Sequence, residues 1–304
     1  MGTNSHWPGP ASLSGITVVI ATLGGDSLSG TIERLNQGSV VPDEILICIP
    51  ANEAFRVQSL NYSNVVVLTT SYRGQVAQRA FGFINASRDV VMQLDDDIFV
   101  DGNCVERLLN TLKSQDADVA VAPALINLST GESVYSRPKR NQFIQKTYDW
   151  LVNGFGGCLP GKIYKSGLPA GVDPKVERAE LIEAEWLPGG CVMHHRKNLI
   201  LENFYPFPGK AYCEDLIHSH LLQAKGVRLL INTVAICQLE VTPLMHAGIT
   251  QYFNELKCDF RARKYFMDIS SRKSLRIYIL YVLHGFLYLC RRLMQNWNSY
   301  QSIK

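Results

Sequence analysis

Apolar runs of strand length recur along the first half of the chain, and each is closed by polar or turn-forming residues. Ile16-Thr17-Val18-Val19-Ile20-Ala21 is β-branched and leads into Thr22-Leu23-Gly24-Gly25-Asp26, after which Ile32 and Leu35 take up helical spacing. Glu44 to Ile49, stopped by Pro50, then Val65 to Leu68 and Val90 to Leu94, predict three further strands. Between the last two, Gly74 opens a helix with Val76, Ala77, Ala80, Phe81 and Ile84 expected on one face. Val105, Leu108, Leu109 and Leu112, after Asp101, predict another helix, and Val119 to Ala122 another strand. Strands alternating with helices predict an α/β fold with a doubly wound, mostly parallel sheet, whose ligands bind beyond the strand C-termini.

Residues 129–180 break the pattern, being rich in Gly, Pro, Lys and Arg; a stretch of this length reads as a lid or acceptor loop, or else as a solvated surface. Regularity returns at Glu185-Trp186-Leu187-Pro188-Gly189-Gly190, where the glycines either admit a ligand to the backbone or mark a tight turn. Glu214 and Asp215 open a helix through Leu216, Ile217, His220 and Leu221, a place where the macrodipole alone favours acids. Val227 to Leu230 and Thr233 to Ile236 predict two short strands, and His246 follows Pro243 in a loop. Two helices are expected in the tail, one through Tyr252, Phe253, Leu256 and Phe260, the other from Leu275 to Leu293. The largely apolar run of the second, Ile277 to Leu289, is shorter than the roughly 20 residues a bilayer requires. It is flanked by Arg276, Arg291 and Arg292 and carries Tyr278, Tyr281 and Tyr288, which suits a docked or an interfacial helix.

The chemistry concentrates where Val90 to Leu94 ends in Asp95-Asp96-Asp97. Adjacent carboxylates repel unless a cation screens them, and hard oxygen ligands suit Mg²⁺ or Mn²⁺; Asp also caps helices and shapes turns. The first strand-to-helix turn excludes two phosphate-binding motifs. Gly25 and Gly30 have Walker spacing, but Thr31 and Ile32 stand where Lys and Ser/Thr are required, and no G-x-G-x-x-G follows a strand.

With 304 residues, 46% of them hydrophobic, the chain can bury a large core, and a net charge of +3 gives no case for nucleic acid. The basic residues nevertheless gather at the C-terminus, where Lys257, Arg261, Arg263, Lys264, Arg272, Lys273, Arg276, Arg291, Arg292 and Lys304 face only Asp259 and Asp268. Eight scattered cysteines without a C-x-x-C pair favour a reducing, cytoplasmic compartment over a disulfide framework. Residues 1–14, polar with Gly and Pro, are expected to be a disordered leader rather than a signal peptide.

Taken in order, the strand ending Ala21-Thr22, Gly74-Gln75-Val76-Ala77-Gln78-Arg79, Leu94-Asp95-Asp96-Asp97, Leu187-Pro188-Gly189-Gly190 and Glu214-Asp215-Leu216 with Gly226 resemble the family 2 glycosyltransferases. These are inverting enzymes of the GT-A fold, and the resemblance runs from about Thr17 to His246. It implies a GT-A domain over 15–250, with a nucleotide-sugar half to about 125 and an acceptor half beyond it, and a C-terminal helical region over 251–304. It also implies a divalent metal, Mn²⁺ or Mg²⁺, held by Asp97 with His246, and donor contacts from Ala21, Thr22, Arg79, Asp95, Asp96, Gly189 and Gly190. Trp186 would face the acceptor and Asp215 would be the catalytic base, supported by Glu214. The family's usual acid after the second strand is replaced by Ile49-Pro50-Ala51-Asn52-Glu53, leaving Asn52 or Glu53 to read the base and a UDP-sugar as the default donor. The implied reaction is hexosyl or related transfer to a glycan, polysaccharide or lipid-linked hydroxyl. Peripheral contact with the inner face of a membrane, and a homo-oligomer, are compatible with it. A nucleotidyltransferase of similar architecture is the competing enzyme class, although Thr22 to Gly30 lacks the basic residues it would need. A non-catalytic nucleotide-sugar-binding or scaffold protein is the other alternative.

Overall fold

The structure, a computed structural model, describes residues 15–115, 117–137, 141–241 and 248–301. Strands β1 (Ile16–Ala21), β2 (Glu44–Pro50), β3 (Val65–Thr70) and β4 (Val90–Leu94) pair in parallel in the order β3-β2-β1-β4. The apolar runs of β1, β2 and β4 are continuous because both faces are covered, whereas edge strand β3 leaves Val66 and Val67 exposed. Val18 and Ile20 pack with Leu28, Ile32 and Leu35 of helix α1 (Leu28–Asn36), while Val19 points to the other face and meets Phe83 of α2 (Gln75–Asn85).

Helix α2 is rotated from the expected orientation. Ile84 is 56% exposed, whereas Gln78 and Arg79 are buried. Gly82 is the reason: a Cβ there would lie 2.4 Å from Val19 Cγ1, so the glycine edge is what sits against the sheet. That rotation directs Gln78 and Arg79 inward, beside the ends of β1 and β4.

The second half of the sheet is mixed: β1 to β4 pair in parallel, and antiparallel pairs enter beyond them. After β5 (Ile98–Val100), α3 (Cys104–Ser114) and β6 (Val119–Asn127), the chain enters the irregular stretch, which contains one helix, α4 (Gln142–Asn153). Strands β7 (Leu181–Ala184) and β8 (Cys191–His195) follow, and β8 runs antiparallel between β4 and β6. Helix α5 (Glu214–Ala224) then leads to β9 (Arg228–Leu239), which pairs in parallel with β6 and antiparallel with β5 and β7. The two short strands expected here are one strand with a bulge, where the register jumps between Pro123 and Ala124. Asn232 bridges the interruption, its Oδ1 accepting the amides of Val234 and Ala235 (2.9 and 2.8 Å).

Helices α6 (Ile249–Ile269) and α7 (Arg276–Gln301) pack beside α5: Ala262, Phe266, Met267 and Ile277 share a cluster with Trp186, Leu216 and Ile217. The apolar length of α7 exceeds the expected one, since Arg276–Met294 has the length and composition of a membrane span, with 22% of it buried in the protein. All eight cysteines are free thiols, four of them buried in the strands or beside them. The expected leader (1–14) and His246 lie outside the described residues.

Candidate active site

The parallel strands end along one edge, and chain distant in sequence is brought to that edge by pairing. Leu94 lies opposite both Ile20 of β1 and Cys191 of β8, so Asp95 to Asp97, Ala21-Thr22 and Gly189-Gly190 come together where the strands stop. The Asp95 amide donates to Gly190 O (2.8 Å), and Gln93 Nε2 donates to Gly189 O (2.6 Å) from below.

Each aspartate has a different environment, and none caps a helix. Asp95 Oδ1 accepts from Arg79 Nη2 (2.9 Å) and Gln75 Nε2 (2.8 Å). Asp96 accepts from Thr22 Oγ1, while Thr31 Oγ1 donates to its carbonyl (2.9 Å). Asp97 is exposed. Burial pushes the Asp95 carboxyl up to about 6, with Glu214 and Asp97 adding to the rise and Arg79 and Gln75 opposing it. Asp97 is also raised, by partial burial and then by Asp96 beside it.

Arg79 joins the two acidic motifs. Its guanidinium is 4% exposed, and its Nη1 donates to Glu214 Oε1 (3.0 Å) while Nη2 holds Asp95. This planar fork spans two carboxylates from separate elements, one of them 135 residues from Arg79, as a single-point ammonium could not. Asp215 follows Glu214 in the first turn of α5, its Oδ1 accepting the Leu216 amide (2.9 Å). Burial and then the neighbouring Glu214 push its carboxyl up to about 7. Cys213, at φ 54°, turns the chain into α5, and its Sγ donates to Asp259 Oδ1 (3.3 Å). Asp259 is tied to Arg263 (3.0 Å), whose Nε donates to Tyr281 OH (2.9 Å), so both C-terminal helices brace the turn that presents Asp215.

A cleft of about 680 Å³ opens beside these groups, lined by Ala21, Thr22, Gln75, Gln78 and Asp96 and by Arg56, Arg73 and Lys210. Asn52 is exposed on a 3₁₀ turn and is not in its lining, and Glu53 is ion-paired with Arg56 (3.2 Å). Trp186 is 2% exposed, donates Nε1–H to Ala170 O (3.1 Å) and packs edge-on against Tyr135. It is part of the core rather than of an open acceptor face. Sequence reasoning missed Gln75 and Gln78, although one stands a helical turn before Arg79 and the other directly beside it. Gln78 Nε2 bridges Thr22 O (2.9 Å) and Cys48 O (2.7 Å), locking α2 to the ends of β1 and β2.

The carboxylates fit a hard cation of the Mg²⁺ or Mn²⁺ kind, though not a closed protein cage. Among the described residues no three His, Cys, Asp or Glu side chains converge on one point. Asp95 and Asp96 are engaged by the protein, which leaves Asp97 as the ligand on offer. One or two carboxylates completed by substrate phosphates is the usual arrangement for such ions.

The motif order and this strand-end geometry agree with a family comparison. Residues 49–160 match the model of glycosyl transferase family 2. The match to family 2 takes in Arg79 and Asp95 to Asp97 and ends before Gly189, Glu214 and Asp215. The fold is of the GT-A type. A solved structure of GalNAc-T7 with UDP, GalNAc and Mn²⁺ superposes with a TM-score of 0.55 at 17% identity, over 84% of this chain and 50% of that one. This chain thus spans half the length of that protein. No curated protein matches it.

The glycine pair has room for backbone alone. A Cβ at Gly189 would lie 2.5 Å from Glu214 Oε1, and one at Gly190 would lie 2.3 Å from Ile98 Cδ1 and 3.3 Å from Asp95 Oδ2. Gly190→Ala should therefore cost about 1–3 kcal/mol through overpacking, read as a lower urea midpoint at unchanged m-value. An unchanged midpoint would show that β5 yields freely and that the close approach is not needed.

Proposed function

We propose that the protein is an inverting glycosyltransferase that moves a sugar from a nucleotide diphosphate sugar to an acceptor hydroxyl, with a divalent metal bound. The observation that carries this reading is the Arg79 bridge, which couples the acidic turn after β4 to the acidic start of α5. That contact supports a reading in which the turn after β4 serves the diphosphate and cation and the start of α5 carries the base.

The donor diphosphate lies toward Thr22, Asp96 and Asp97, with Arg73 and Lys210 supplying positive charge at the rim. Asp97 would hold a Mg²⁺ or Mn²⁺ ion, which would supply charge neutralisation for the departing diphosphate. Gly189 and Gly190 let the donor sugar approach backbone. Asp215 takes the proton from the attacking acceptor hydroxyl, and Glu214, held by Arg79, raises the basicity of Asp215 through its charge. UDP, GalNAc and Mn²⁺ in the GalNAc-T7 structure support UDP-sugars and Mn²⁺ as the first to assay. The acceptor is a carbohydrate or a lipid-linked saccharide met at the inner face of a membrane.

Hydrolysis of a panel of nucleotide sugars with Mn²⁺ or Mg²⁺ tests the enzyme reading and finds the donor. A pure binding protein would retain the donor unhydrolysed, and a nucleotidyltransferase would release pyrophosphate from a nucleoside triphosphate. The metal has its own test. A diphosphate beside Asp95 to Asp97 is a like-charge clash without a cation, so Asp97→Ala or EDTA should abolish calorimetric binding of UDP. Equal affinity with and without EDTA would remove the metal from the mechanism.

A further inference from the structure

Helix α7 buries one face on the protein and carries an apolar stripe on the opposite one. Ile277, Leu280 and Tyr288 are buried, and Tyr281 OH is bonded to Arg263. Tyr278, Val282, Phe286, Leu289 and Leu293 recur at spacings of three and four, which stacks them along one line of the helix, and Leu275 in the turn just before it continues the spacing. They are 41–78% exposed. A surface helix normally turns polar residues to water, so a six-residue apolar line marks a face with a partner.

At its start this line runs into a basic hollow. Leu275 and Tyr278 belong to the stripe and also line a cavity of about 410 Å³, whose charged residues are Lys264, Asp268, Arg272 and Lys273. Lys264 is paired with Asp268 (2.7 Å) and Arg272 with Glu185 (3.1 Å). Lys273 is exposed and meets no carboxylate among the described residues. Apolar side chains beside cations in one concave patch match the acyl boundary and the phosphates of a bilayer surface.

We propose that this face of α7 lies flat on an anionic lipid surface, with the stripe at the acyl boundary and a headgroup phosphate in the hollow beside Lys273. Crossing the bilayer would instead strip Ile277, Leu280 and the Tyr281–Arg263 contact from the core. Pairing with a second copy would bring together two regions in which basic residues far outnumber acids. The lipid surface alone answers both the apolar line and its charge.

Vesicle flotation of the full chain, without donor or metal, tests this separately from sugar transfer. The protein should float with phosphatidylcholine–phosphatidylglycerol vesicles at low salt, and much less at high salt or with phosphatidylcholine alone. Lys273→Glu should weaken partitioning into the anionic vesicles by about tenfold. Val282→Ser with Phe286→Ser should abolish flotation at any salt, and because both positions are exposed the thermal midpoint should hold. Failure of the unaltered chain to float on anionic vesicles overturns the proposal. So does a lipid-free dimer that the double variant converts to monomer while flotation persists. Equal loss of Lys273-dependent binding on adding excess inorganic phosphate would reassign the hollow to a soluble anion.

Discussion

Asp215→Asn should retain the fold and UDP binding and lose turnover by on the order of 10²–10⁴-fold, the usual contribution of a positioned base. The amide is nearly isosteric and its oxygen can still accept the Leu216 amide, so the α5 turn has no reason to move. What would disappear is the group proposed to take the acceptor proton. Because burial and Glu214 raise Asp215 to about 7, the unaltered enzyme should gain rate as pH climbs through that value, and the variant's residual rate should lack that step. Stability in the free protein should run the other way. Between the ordinary 3.8 and about 7 the folded state holds a proton that the unfolded chain has released, so stability falls as pH rises through this window. Thermal midpoints measured across that range should therefore slope less for Asp215→Asn than for the unaltered protein. Near-normal transfer by the variant would move the base role to Glu214 or elsewhere.

Arg79→Ala should be the most destabilising single change in the site, by about 3–5 kcal/mol, because it leaves two carboxylates facing each other without the guanidinium between them. The cost comes from uncompensated buried charge rather than from the lost contacts, since Glu214 is only 8% exposed at its side chain. Arg79→Lys preserves the charge and loses the fork. It should recover part of the stability while failing to hold Asp95 and Glu214 together, so donor binding should stay weak when urea midpoints have partly returned. A urea midpoint for Arg79→Ala equal to that of the unaltered chain would show that the two acidic motifs stand without the bridge.

These two residues differ in how visible they were. The acidic pair Glu214-Asp215 at a helix start is a local feature, and the base role of Asp215 was implied by the resemblance to family 2. Arg79 could be placed in a motif, yet nothing local told that it touches Glu214, since that contact depends on α2 and α5 converging over the same strand ends. The apolar spacing of α2 even pointed the wrong way, favouring Ile84 as buried. Gly82 decided the matter by allowing Val19 to within reach of the helix backbone, which only the packed sheet reveals. Trp186 shows the converse error, in which a large aromatic next to a motif is read as a ligand contact and proves to be core.

From the sequence alone came the strand-and-helix alternation, the strand-end position of Asp95 to Asp97 and the likeness to family 2, because hydrophobic period and short acidic or glycine motifs are local properties of the chain. The tertiary structure alone decided how those motifs meet. Antiparallel insertion of β8 beside β4 puts Gly190 on the Asp95 amide, and Arg56, Arg73 and Lys210 bring to the cleft the cations that the first loop lacks. It also separated the buried face of α7 from its exposed apolar stripe, a distinction invisible in composition, since both faces are apolar and only the neighbours of each say which is covered.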